Sequence, residues 1–199
     1  MPIAATISGK TFTPHLEVQG NCSLSGELKV SGAKNSALVL MAASLLTEDK
    51  LVLENVPDLT DIEGMREIIS TLGVNITREK NKIQIQAKGL HHVALPYELV
   101  HVLRASFFCI GPLLARLGQA KIPLPGGCEI GARPVTEHIK GLKALGAFIN
   151  FEHGVVTASV PGTRKRLRGA DVVLDCPSVG ATETILMAAV LAEGTSSIE

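Results

Sequence analysis

The chain has no tryptophan, one tyrosine and five phenylalanines in 199 residues. With so few aromatic rings, its core must be built from aliphatic side chains and alanine, and no platform for stacking nucleobases is available. Charge is also missing as a net quantity. Nineteen basic residues balance nineteen acidic ones, which argues against a nucleic-acid surface. The apolar run from Ala37 to Leu46 is too short to span a bilayer and reads as a buried helix. The first ten residues, MPIAATISGK, lack a basic head followed by an apolar stretch, so no secretory signal is expected. The four cysteines (Cys22, Cys109, Cys128, Cys176) are scattered, without the spacing of a zinc site. They fit reduced thiols in a cytoplasm.

What is present is a self-similar chain of a length that suits one or two domains. GAKNSALVLMAASLL from Gly32 matches GATETILMAAVLAEG from Gly180, with Leu40–Ala43 aligned to Leu186–Ala189. Each is apolar without a clear polar face, which predicts helices inside the fold. A second pair sets MREIISTLGVNI from Met65 against IKGLKALGAFI from Ile139. In both, an amphipathic helix stops at Leu-Gly (Gly73, Gly146) and a strand follows. Alternation predicts strands at Glu27–Val30, Lys82–Gln86, Val155–Val160 and Asp171–Leu174. PGTRKRLRG, from Pro161 to Gly169, reads as a basic surface loop. Repeated helix and strand units support a pseudo-symmetric α/β domain.

The chemistry concentrates in LPGGCEIGARPV, Leu124 to Val135. Three glycines surround Cys128, and Arg133 follows five residues later. Glycine allows close backbone approach to a ligand, and a nearby cation favours the reactive thiolate. A reactive cysteine on an anion-binding loop fits this pattern; so does a small hydrophobe in a tight turn. Lys34 and Asn35 sit where a strand gives way to a helix, where backbone donors face an anion; they also fit a polar first turn capped by Asn35. Arg104, in the apolar LRASFF, needs a carboxylate or ligand partner if buried. Arg116, near a helix end, reads as structural. Ser178, Val179 and Gly180 read equally as a helix start. Cys22, Cys109 and Cys176 read as packing residues, and His91-His92 as a surface turn.

From about Leu16 onward, five ordered blocks resemble the UDP-N-acetylglucosamine enolpyruvyl transferases. They are SGAKNSALVLMAASLL, ENVPDLTDIEGM, LRASFFCIGPLLARLG, LPGGCEIGARPV and PSVGATETILMAAVLAEG. The resemblance implies an inside-out α/β barrel of pseudo-symmetric βαβαββ repeats around buried helices, with the active site between two such domains. It implies transfer of the enolpyruvyl group of phosphoenolpyruvate to the 3-hydroxyl of UDP-N-acetylglucosamine. The reaction releases phosphate and needs no cofactor. Cys128 is then the proton donor and the target of fosfomycin. Lys34 and Asn35 meet phosphoenolpyruvate and the intermediate, and Arg104 and Arg133 bind substrate anions. Pro134 and Val135 line the uridine site, and Ser178, Val179 and Gly180 contact the diphosphate and sugar. Where the family often has Asp-Leu after Arg-Pro-Val, this chain has Thr136-Glu137, which puts one nucleotide contact in doubt.

The resemblance covers only a first half. Residues 1–27 are expected to belong to a second domain, and 28–199 to form a first domain incomplete at its end. Such a domain is expected to expose strand edges and apolar surface. Four readings stay open: an enzyme completed by another chain, a substrate-binding half-module, an inactive remnant, or the sibling 3-phosphoshikimate 1-carboxyvinyltransferase.

Overall fold

The computed structural model describes residues 17–125, 134–163 and 165–199, together with the backbone of two short strands before them. The chain divides into two units, Met1–Val30 and Ser31–Glu199. In the first, β1 (Thr6–Ile7) pairs antiparallel with β2 (Lys10–Thr11). The strand expected at Glu27–Val30 does not form: these residues have no regular structure, and Leu28 and Val30 are 89% and 80% exposed. Alternation gives a segment a strand's faces, but a strand exists only where a neighbour accepts its hydrogen bonds.

The second unit carries the repeats. Helix α1 (Lys34–Ala43) leads to β3 (Lys50–Leu53), α2 (Thr60–Thr71) and the hairpin of β4 (Asn75–Glu79) and β5 (Lys82–Gln86). A short helix, α3 (Tyr97–Val100), and a 3-10 segment, Arg104–Cys109, precede α4 (Ile110–Leu117). The pattern then returns as β6 (Gln119–Pro123), α5 (Thr136–Ala144), β7 (Phe148–Glu152) and β8 (Val155–Ser159). A third round holds β9 (Asp171–Val172), α6 (Val179–Ala189) and β10 (Ser197–Ile198). The two hairpins build matching antiparallel sheets in the orders β3-β5-β4 and β6-β8-β7. Strand β9 instead runs parallel to β10.

Both predicted stops hold. Gly73 and Gly146 follow α2 and α5 at φ +87° and +90°, a region closed to most side chains. Each sheet turns one apolar face inward, as with Ile83 and Ile85 of β5, and the helices lie beneath. The core is one aliphatic cluster whose largest fully buried members include Met41, Leu45, Ile62, Met65, Ile110 and Leu113. This is the repeated α/β arrangement of an inside-out barrel, helices within and sheets outside.

Close packing of the central helices depends on a glycine. A Cβ at Gly111 of α4 would stand 2.6 Å from the carbonyl oxygen of Thr184 in α6. The helices α1 and α6 are not buried all round as their composition predicts. Leu40, Leu186 and Val190 are 50%, 56% and 61% exposed, because only one side of each helix meets the core. Arg116 is structural, as expected. Its guanidinium donates to the carbonyls of Leu45, Thr47 and Ala87 at 3.0–3.3 Å and pairs with Glu48 at 3.0 Å. Among the described residues of the predicted basic loop, Pro161–Thr163 and Lys165–Gly169, no helix or strand forms, and Arg168 makes an isolated bridge with Glu193. Cys109 is buried as predicted, but Cys22 and Cys176 are exposed and are not packing residues. Among the described residues no helix is long and apolar enough to cross a membrane.

Candidate functional site

The repeats bring the starts of helices α1 and α6 to one open cleft of 660 Å³, with the 3-10 segment and α5 as its other walls. Helix α1 begins directly after an extended Ala33, with no side-chain cap. Asn35 is therefore not a cap, which corrects the alternative reading of this turn, and both Lys34 and Asn35 line the cleft. Lys34 Nζ pairs with Asp61 Oδ2, in the first turn of α2, at 2.6 Å. Both side chains are about two-fifths exposed, at 44% and 37%, so this pair is solvated and contributes at most about 1 kcal/mol. A ligand anion can take Asp61's place on the ammonium without a large desolvation cost.

Arg104 opens the 3-10 segment after an extended Leu103. It is half-buried and also faces the cleft. Opposite, Ser178 caps α6: its Oγ accepts from the Ala181 N–H at 3.3 Å. The helix-start reading of this block is thus correct, and the same residues, Ser178, Val179 and Gly180, line the cleft. One structural role does not displace the other, since the first turn of a helix presents unpaired N–H groups to an anion. Val135 reaches the cleft from the N-terminus of α5.

Of the residues singled out in the sequence, the cleft gathers Lys34, Asn35, Arg104, Val135, Ser178, Val179 and Gly180. Pro134 is not among its lining residues; it borders a neighbouring apolar groove with Val135, Thr136, Ile139 and Phe151. Cys128 and Arg133 lie outside the described residues. Three ionisable residues of the cleft were not foreseen: Asp61, His138 and Glu183. Burial raises the Glu183 carboxyl above its ordinary pKa. Burial, with a smaller contribution from the positive charge of Arg104, pushes the His138 imidazole down to about 4. A sequence signal for His138 existed, since it shares the apolar stripe Val135, His138, Ile139, Leu142. A polar side chain within such a stripe must find a partner. Among the described residues no cluster of three metal-ligating side chains occurs.

Residues 18–199 match the family model EPSP synthase (3-phosphoshikimate 1-carboxyvinyltransferase). The UDP-N-acetylglucosamine 1-carboxyvinyltransferase of Prochlorococcus marinus (strain MIT 9313) is 69% identical over the whole chain, which covers 46% of that protein. The protein of the same name from Synechocystis sp. (strain ATCC 27184 / PCC 6803 / Kazusa) is 54% identical over 92% of the chain and 42% of its own length. The chain thus spans about half the length of the curated relatives it matches. Among solved structures, the enolpyruvyl transferase NikO from Streptomyces tendae superposes with a TM-score of 0.74 at 21% identity, over 90% of this chain and 42% of that one. EPSP synthase from Acinetobacter baumannii gives 0.67 at 20% identity, over 87% and 40%. These two likenesses establish the fold. With its repeats, its cleft and a match over nearly its whole length, the chain belongs to the EPSP synthase (3-phosphoshikimate 1-carboxyvinyltransferase) family.

Proposed function

We propose that this cleft is one wall of an enolpyruvyl transfer site, taking phosphoenolpyruvate and UDP-N-acetylglucosamine. The observation that carries the reading is the convergence of Lys34, Arg104, Asn35 and the N-terminus of α6 on one open cleft. Both substrates are anionic, and fixed cations and N–H groups are what anions require. The preference for the nucleotide sugar over shikimate 3-phosphate rests on the 69% identical relative and its name.

In this reading Lys34 leaves Asp61 for an anionic group of phosphoenolpyruvate, and Asn35 hydrogen-bonds substrate and intermediate. Arg104 and the first N–H groups of α6 hold the diphosphate. Cys128, in the glycine-rich block LPGGCEIGARPV, delivers a proton to the methylene carbon of phosphoenolpyruvate. The sugar 3-hydroxyl passes its proton to a base on the other wall as its oxygen bonds to the neighbouring carbon, which gives a tetrahedral intermediate. That intermediate loses phosphate and returns a methyl proton to the Cys128 thiolate, which leaves the enolpyruvyl ether. Exclusion of water protects it. A chain supplying the other wall belongs to this reading, as does a compartment that keeps thiols reduced.

Binding without turnover is the second reading, since the cations and helix N-terminus that line the cleft hold anions whether or not a reaction follows. Calorimetric titration of UDP-N-acetylglucosamine, with phosphate release measured in parallel, tests both. Arg104→Ala should weaken binding about 10–100-fold, the worth of a charge-assisted hydrogen bond. Equal affinity in wild type and variant would remove Arg104 from the site. No binding at all by the unsubstituted chain would refute both readings. Binding without phosphate release selects the second.

A further inference from the structure

His138 stands in the wall of the cleft yet is only 7% exposed. Its Nδ1 lies 3.0 Å from Thr184 Oγ1 of α6, and Phe107 packs edge-on against the ring at 5.2 Å. Thr184 is fully buried, and His138 Nδ1 is its hydroxyl's one side-chain partner among the described residues. If that hydroxyl merely accepted from the ring, its own proton would be stranded, at about 1–3 kcal/mol. Thr184 therefore donates to Nδ1, and the neutral ring keeps its proton on Nε2. No described residue accepts from Nε2. Above that edge of the ring sits Gly180, where a Cβ would stand 3.5 Å from Nε2 and 3.4 Å from Cε1. The missing side chain leaves the ring edge open beside the first turn of α6. Arg104, lining the same cleft, sets a positive charge near the ring and disfavours a second proton on it.

We propose that His138 is a ligand-binding residue of this cleft: a neutral imidazole, fixed by Thr184 as the Nε2–H tautomer, that donates a hydrogen bond to a phosphoryl oxygen of the nucleoside diphosphate sugar. The proposal rests on the functional reading above. It gives the site two unlike donors. Arg104 supplies charge, which attracts any anion. His138 supplies one directed N–H with no charge, and its partner must stand where that N–H points. Such an arrangement selects by geometry where cations alone select by charge.

The test is imidazole ¹⁵N–¹H correlation spectroscopy of the ¹⁵N-labelled chain, with His138 assigned by comparison with His138→Gln. UDP-N-acetylglucosamine is then titrated in. The expected result is a single Nε2–H tautomer in the free protein and a shifted Nε2–H signal at saturation. His138→Phe, which keeps a buried ring but cannot donate, should bind about tenfold more weakly. Thr184→Val should release the tautomer into a mixture. An Nδ1–H tautomer overturns the proposal. So does a His138 signal that stays still while other resonances report saturation, although the functional reading then survives. Failure of the unsubstituted chain to bind the nucleotide sugar overturns the functional reading and this role together.

Discussion

Acidifying the protein from pH 7 to pH 5 should cost it about 2 kcal/mol of stability through His138 alone. Burial first, and then the charge of Arg104, lower this imidazole from its ordinary 6.5 to about 4. The folded pKa lies below the unfolded one, so the unfolded chain takes up the proton first as pH falls. The stability that neutral His138 provides is therefore whole above about pH 6.5 and is lost between there and about pH 4. At pH 5 the unfolded ring is almost fully protonated while the folded ring is not, which sets the figure of about 2 kcal/mol; the full difference caps it at about 3. Urea unfolding at both pH values measures the loss as a fall in midpoint at constant slope. The same pair of measurements on His138→Gln removes this titration and leaves the others in place. Among those others, Glu183 acts in the opposite sense, because its raised pKa favours the folded state as pH falls. Wild type should lose about 2 kcal/mol more than the variant. Equal losses would mean that His138 is solvated and charged in the fold, which would refute the packing described for it.

Three further outcomes follow from the core and the cleft. Gly111→Ala should destabilise by about 1–2 kcal/mol by chemical denaturation: the gain in helix propensity is about 1 kcal/mol, but the new methyl meets a carbonyl and forces α4 from α6. Arg116→Met should cost about 3 kcal/mol, because three carbonyls lose their donor; a loss under about 1 kcal/mol would show that water replaces it. Burial pushes the Cys109 thiol up to about 12. Iodoacetamide at pH 8 should therefore spare Cys109 in the folded chain while modifying exposed Cys22 and Cys176, with the sites read by peptide mass mapping. Early modification of Cys109 would contradict its burial.

The sequence made the repeating units legible because their signals are local. Amphipathic α2 and α5 end at Gly73 and Gly146, where only a positive φ continues the chain, and the hairpin strands alternate. Glu27–Val30 has the same alternation and no ladder, since pairing depends on a neighbour that four residues cannot specify. Leu40 and Leu186 were expected inside because apolar composition does not say which side of a helix meets the core. Lys34, Asn35, Arg104 and Ser178–Gly180, which line the cleft, lie in blocks of sequence that also begin helices. Those short motifs meet in one cleft because the fold repeats. His138 escaped notice because its role arises only when α5 packs on α6 and Thr184 comes to face its ring. Asp61 escaped for a similar reason, being brought to Lys34 across 27 residues of chain.

The proposed function makes the cleft part of an enolpyruvyl transfer site with Cys128 as its reactive group. Intact-mass analysis after fosfomycin treatment, with and without UDP-N-acetylglucosamine and with Cys128→Ser as control, tests it most directly. One adduct is expected, located on Cys128, promoted by the nucleotide sugar and absent from the variant. No adduct, or equal modification of Cys128 and the exposed Cys22 and Cys176, would contradict it.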